Sequence, residues 1–383
     1  MKKGLVIWIG IIIILGVLSV VLVVNPRNTG NVTKSDEKPV VKIGATLPLT
    51  GPLAFLGQGA QNSILLAEDY LKNKETKFNY VVIFEDDKFE VKEASTTTSK
   101  LINVDKADAI ISFSSGIGNV VSPITQSNKV LHIGAGTSDP NVAKGKYNFI
   151  HWTTPQEENR VFVKELEERG IKKLALIEVN QQGVFALAND LENKIKGTNI
   201  KIVSRERFNS GIKDFRTILL KSKEENPEIY LILAFSPDIE VLTKQAKELG
   251  ITKLTTVESF ELTNQPELFE GLWYVNGADP TNKFLNSYKE EYNQNPPFLS
   301  ANAYDVFNLI VEAYENAGEK TKGKPTTEQA AEELSKLIGY NGAVGVLTIS
   351  REGIIDSKAS VRMIKNGKPI TIKTNSEEVI GLG

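Results

Sequence analysis

Cysteine is absent from the 383-residue chain, which excludes disulfides, thiolate metal sites, iron–sulfur clusters and a thiol nucleophile. Histidine is scarce: His132 and His151 are the only two. Each sits within an apolar run and neither has a Gly-x-Ser-x-Gly elbow nearby, so both are expected to be packed, hydrogen-bonded strand residues. Positive charge in excess is also missing. The 45 Lys+Arg against 47 Asp+Glu leave a net charge of -2, nothing in that balance draws a phosphate backbone, and no nucleic-acid partner is expected. What remains is a chain with 41% hydrophobic and 24% charged residues, proportions that fold into real cores. No catalytic residue, metal site or cofactor is predicted.

The one long apolar run is residues 5–24, which follows Lys2 and Lys3 and carries no charge. Twenty residues at about 1.5 Å each span the hydrocarbon thickness, and no small-x-small cleavage signal follows. The expected layout is a cytoplasmic stub (1–4), a single-pass membrane anchor (5–24) and a polar flexible linker (25–39), with the folded body extracytoplasmic. Cleavage of the segment would leave a secreted or periplasmic protein instead.

Beyond residue 40, short apolar runs alternate with helical periodicity: strands at 40–47, 79–84 and 107–113 flank helices at 58–73 and 91–103, and a second series of the same kind follows from 173 to 257. Such alternation predicts two parallel-sheet lobes of doubly wound α/β type, joined by segments that cross more than once. The predicted division is 40–154 plus 277–338 for lobe 1, 155–276 plus 339–370 for lobe 2, and a C-terminal tail at 371–383. The runs 345–350 and 359–364 are predicted to close the chain as a hairpin-like pair.

Ligands of open α/β sheets bind beyond the carboxyl ends of the strands. Gly57 and Gly59 imitate a dinucleotide fingerprint, but they lie ten residues after the strand and the third glycine is lacking. Glu85, Asp86 and Asp87 are read as acids of a strand-to-helix turn rather than as a magnesium site. The Ser/Gly turn at Ser114, Ser115 and Gly116, and the turn at Gly136, Thr137 and Ser138, offer backbone N–H groups and hydroxyls to a carboxylate. Glu258, after a strand of the second lobe, offers an acceptor to an ammonium. A zwitterion answers both.

These pieces, in this order, resemble the type 1 periplasmic binding proteins of ABC importers, in the branch that binds leucine, isoleucine, valine and related amino acids or amides. The likeness runs from residue 41 to 368. It is carried by the stretch from Ile43 through Gly51 and Pro52 to Gly57, by Glu85 to Asp87, by Phe113 to Gly116 and by Gly136 to Pro140. Asp214 and Phe215, Ala303 to Asp305 and the closing run from Gly342 complete it. The resemblance implies a small-molecule ligand held between two hinged lobes, delivery to an ABC permease, a monomer, and no catalysis. It assigns Ser115 and Ser138, or Thr137 in place of the latter, to the ligand carboxylate, Glu258 to its ammonium, Phe235 to an aromatic cover, and Phe55 or Leu56 to a wall. Gln182 stands where relatives carry tyrosine, which implies a polar side-chain contact to the ligand in place of an aromatic wall, and Trp152 stands where they often carry arginine. A sensor subunit presenting the same lobes to a partner receptor is the alternative.

Overall fold

A computed structural model describes residues 38–374, Asn264 and Ala278 excepted. The expected stub, the anchor, all but the last residues of the linker and the end of the tail lie outside the described residues. Among the described residues no helix is long and apolar enough to cross a membrane.

The chain opens with β1 (Val40–Leu47), α1 (Ala54–Lys72), β2 (Asn79–Asp86), α2 (Val91–Asn103), β3 (Ala109–Phe113), α3 (Ser115–Asn128), β4 (Leu131–Ala135) and β5 (Asn148–His151). Strands β3, β4 and β5 are buried at every residue, as continuous apolar runs covered on both faces must be. After a first crossing come α4 (Pro155–Glu168), β6 (Lys173–Val179), α5 (Gln182–Lys194), β7 (Lys201–Phe208), α6 (Arg216–Glu224), β8 (Ile229–Leu233), α7 (Asp238–Glu248), β9 (Leu254–Thr255) and β10 (Trp273–Asn276). Thr154 caps α4 by accepting from the Glu157 N–H, with Pro155 at the first helical position, where its missing donor costs nothing.

The chain then returns to the first body through α8 (Asn282–Tyr292), α9 (Ser300–Gly318) and α10 (Thr327–Leu334), the last opened by a reciprocal Thr326–Gln329 cap. It ends with β11 (Tyr340–Gly342), β12 (Gly345–Ile349), β13 (Ile354–Asp356), β14 (Ser360–Lys365) and β15 (Lys368–Thr374).

Two sheets organise this order. The first runs β2-β1-β3-β4-β5-β13-β12-β11 and the second β7-β6-β8-β9; a small third sheet, β10-β14-β15, is tied to the second by a parallel bridge from Val257 to Val275. Each has its own apolar core, the first packed by α1 and α9 and the second by α4, α5 and α7. Strand order reverses between β1 and β3 in one sheet and between β6 and β8 in the other, so both crevices open at the carboxyl ends of those strands.

Two sequence expectations are corrected. Residues 339–370 do not belong together: β13 pairs in parallel with β5, and β12 pairs with β13, so 340–356 completes the first sheet, and only the strands from Ser360 onward join the second body. The closing hairpin is likewise β14 with β15, which carries ordered structure to Thr374, past the predicted start of the tail at 371. The physical reason is that β12 finds its antiparallel partners in its immediate neighbours, β11 and β13, while Leu347, Ile349 and Ile355 are buried in the first core.

The body changes lobes three times, at 152–154, 277–281 and 357–359. These segments touch: the Thr153 and Ser357 hydroxyls lie 2.7 Å apart, and Gly277 packs so close to Thr153 that a Cβ there would stand 2.6 Å from its hydroxyl; Arg362 of β14 adds a 2.7 Å bond to the Gly277 carbonyl.

Candidate functional site

The strand ends of the two sheets enclose a cavity of about 60 Å³ lined from both sides, which suits a small solute. On the first side β3 is followed by Ser114, whose φ of 78° and ψ of 157° are a conformation that side chains resist. That twist starts α3 at Ser115, and the N–H groups of its first turn are left without intrahelical partners beside a cavity that Ser114 and Ser115 both line. The Ser115 hydroxyl accepts from the Ser138 N–H at 3.0 Å and the Asp139 N–H at 3.2 Å. With both lone pairs used, its own proton is left to donate, either to Ser138 Oγ at 3.4 Å or into the cleft. A hydroxyl so committed is suited to a carboxylate.

On the opposite side Glu258 sits at φ 66° and ψ −45°, and the Ser259 N–H donates to the Val257 carbonyl at 2.8 Å across it. This is a γ-turn of the rare, strained hand, and it aims the Glu258 side chain into the cavity. Trp152, arriving from the end of β5, donates its indole N–H to Glu258 Oε1 and stacks edge-on against Phe298 at 5.3 Å. Glu258 is the one charged residue lining the cavity among the described residues; aliphatic and aromatic side chains make up most of the rest, Leu56, Phe113, Leu187 and Leu233 among them.

Of the residues singled out in the sequence, Ser114, Ser115, Gly136, Ser138, Trp152, Phe235, Glu258 and Leu56 line this cavity together. The others do not. Thr137 is fully buried behind it, its methyl and hydroxyl packed where any side chain on Gly134 would go. Gly116 faces Gln181, whose side-chain amide would stand 3.0 Å from a Cβ at Gly116. Gln182 is exposed, and Gln181 lines the cavity instead. Phe55 packs on the first core, while Leu53 and Leu56, three apart on the opening turn of α1, form the wall. Asp86 is consumed in holding the first loop, accepting from the Leu49 and Thr50 N–H groups and from the Thr50 hydroxyl. Asp87 accepts from Thr46 and from the Phe89 N–H.

With this geometry in view, the comparisons with known proteins are consistent with one another. The sequence profile described as Periplasmic binding protein matches residues 40–368. The chain belongs to that family. It is 25% identical over 303 residues to the leucine-, isoleucine-, valine-, threonine- and alanine-binding protein of Pseudomonas aeruginosa, covering 73% of this chain and 79% of that one. A Leu/Ile/Val-binding protein of Rhizobium johnstonii is 22% identical, covering 80% and 89%. Among solved structures, the leucine-binding protein LivK of Thermotoga maritima superposes with a TM-score of 0.79 at 26% identity, covering 87% of this chain and 98% of that one. The substrate-binding protein LivJ of Streptococcus pneumoniae, solved with isoleucine, shares the fold at a TM-score of 0.77 and 23% identity, covering 88% and 100%. As a periplasmic binding protein the chain captures solute and does not transform it.

Sequence reasoning missed one residue of this binding protein that bears on the charge of the cleft. Glu158, in the first turn of α4, is fully buried and neighbours both Glu258 and Trp152. Burial first, and then the negative charge of Glu258, hold its carboxyl well above the usual range. Burial also raises Glu258, and hydrogen bonds from Glu158 and Trp152 pull it back. In sequence Glu158 reads as an ordinary acid at a helix N-terminus, favoured there by the macrodipole; only its burial reveals it.

Proposed function

We propose that this protein captures an α-amino acid with an uncharged, apolar side chain and passes it to an ABC-type permease, acting as a monomer. The observation that carries the reading is the division of the cavity. Hydroxyls and helix-start N–H groups stand on one side, a single carboxylate on the other, and apolar walls between. Each charge-assisted hydrogen bond in such a cleft contributes about 1.5–3 kcal/mol, and burying a leucine-sized side chain adds about 1.5–3 kcal/mol. A ligand touching both lobes favours their closed arrangement, because only that arrangement makes all its contacts. The names of the relatives, which specify branched-chain and other small amino acids, support the same ligand class.

The apolar segment at residues 5–24 supports attachment of the extracytoplasmic body to the membrane, which would hold it near its permease at high effective concentration. A thermal-shift screen against the twenty amino acids tests the ligand class. Leucine, isoleucine or valine at about a hundred times Kd should add about 2.7 kcal/mol of stability. A chain stabilised only by charged amino acids, or by none, would contradict the reading.

A further inference from the structure

The buried pair behind the cleft has a property that the ligand reading does not require. Neither carboxylate oxygen of Glu158 accepts a well-formed hydrogen bond, although the residue has no exposure to solvent. As a carboxylate it would leave two buried acceptors unmet beside a second acid, at a cost of several kcal/mol. As a carboxylic acid it has a donor, and the contact with Glu258 becomes a hydrogen bond.

The surrounding charges do not offer another solution. Arg160, two residues further along α4, is paired with Glu157, and Glu157 also accepts from the Ala359 N–H. On β14, Arg362 is held by Glu261 and Asp279, and β10 adds the Tyr274 hydroxyl, which donates to Glu261. On α5, Asp190 accepts from Asn159 and pairs with Lys194. At the end of β13, Asp356 adds negative charge, offset by the exposed Lys358. From the cleft side, among the described residues, the Trp152 indole is the donor at hand; it bonds Glu258 and lies near enough to Glu158 to favour its charged form in part, against the larger effect of burial.

We propose that Glu158 is a positioning residue that holds a proton against Glu258, so that the amine corner of the empty cleft carries one negative charge and yields this proton when a cationic group docks. The ligand ammonium brings the positive charge that two adjacent carboxylates lack, and Glu158 then releases its proton to solvent. Binding is therefore linked to proton release, and affinity rises with pH over the window between the occupied and empty states of the pair, by up to about tenfold per pH unit. This inference rests on the amino-acid reading for its ligand and on the buried pair alone for its proton.

Two measurements separate them. Infrared difference spectra of the ligand-free protein at neutral pH, wild type against Glu158→Gln, should show a protonated-carboxyl stretch lost in the variant. Absence of that band overturns the proposal whatever the ligand is. Calorimetry with L-leucine in buffers of different ionisation enthalpy should show proton release for wild type and none for Glu158→Gln, whose pH profile should be flat. Leucine binding with no proton release in wild type, or with the same release in the variant, overturns the linkage and leaves the amino-acid reading standing. Failure of leucine to bind with the infrared band present would instead remove the ligand assignment and keep the shared proton.

Discussion

The hydroxyl corner and the carboxyl corner of the cleft rest on different foundations. Behind Ser115 lies a fully buried network of neutral groups. His132 on β4 donates from Nδ1 to Asn148 Oδ1 at 3.0 Å and takes the Ser112 hydroxyl at Nε2, 2.8 Å away; Thr125 adds a 2.7 Å bond to the same amide oxygen. Behind Glu258 lies a second acid, Glu158, for which no ion pair with a cation is formed among the described residues. One corner is fixed by hydrogen bonds that hold only while nothing ionises, the other by a charge that can be redistributed. Recognition of a carboxylate should thus be insensitive to pH near neutrality, and recognition of an ammonium should not.

The largest test of that contrast is acid stability. Burial pushes the His132 imidazole down from 6.5 to about 4. The unfolded chain binds this proton below about 6.5 and the folded protein only near 4, so the contribution is complete above 6.5 and lost as pH falls through that window. Its size is about 3 kcal/mol. Asp87, which burial raises to about 6, gives the opposite slope, so urea unfolding from pH 7 to pH 4 (about the window of these shifts) must compare wild type with His132→Asn. A variant as acid-sensitive as wild type would detach the histidine from the stability of its corner.

Next in size is Glu258→Ala, expected to weaken an amino-acid ligand by about 10- to 100-fold, the loss of one charge-assisted bond. Calorimetry with unchanged affinity would remove the ammonium assignment. Gly183→Ala should cost about tenfold. A Cβ at Gly183 would stand 2.9 Å from Ser115 Cβ across the cleft, so the variant should resist closing, and small-angle scattering with saturating ligand should show a more open average. An unchanged closed form would mean that the contact gives way. Smallest is Ser114→Gly, which removes a side chain from a conformation that glycine adopts freely and should raise stability by about 1 kcal/mol. A loss of stability would show that the Ser114 side chain, not its backbone, holds the turn.

Much of this architecture was legible before any coordinates. The strand-and-helix alternation predicts β1, α2 and β6 with their observed ends; in β6, for instance, Leu174 to Ile177 are buried and leave a continuous apolar run. The cleft was legible to within a residue. Gln182 was expected inside and Gln181 is there, because the Gln181 N–H turns back to the Val179 carbonyl at 2.8 Å and swings that side chain inward before α5 begins. Phe55 gave way to Leu53 and Leu56 for a similar reason: α1 starts four residues earlier than its apolar periodicity indicates, and the helical rotation changes which residues face the gap.

What no local pattern discloses is convergence. Trp152, Glu158 and Glu258 come from three segments, and the placement of β13 beside β5 depends on a partner some 200 positions away, with no sequence period to announce it.

The three linking threads, pinned together by Thr153, Ser357 and the Gly277 carbonyl, have a consequence for anyone who would engineer this protein. Neither half is a continuous piece of polypeptide, so no single cut frees one, and a chimera that swaps a half with a relative's needs three splice points that must fit simultaneously. The same braid denies the halves independent spin about a common axis, leaving a nod as the easy motion. A clamp built this way trades modularity for a well-defined stroke.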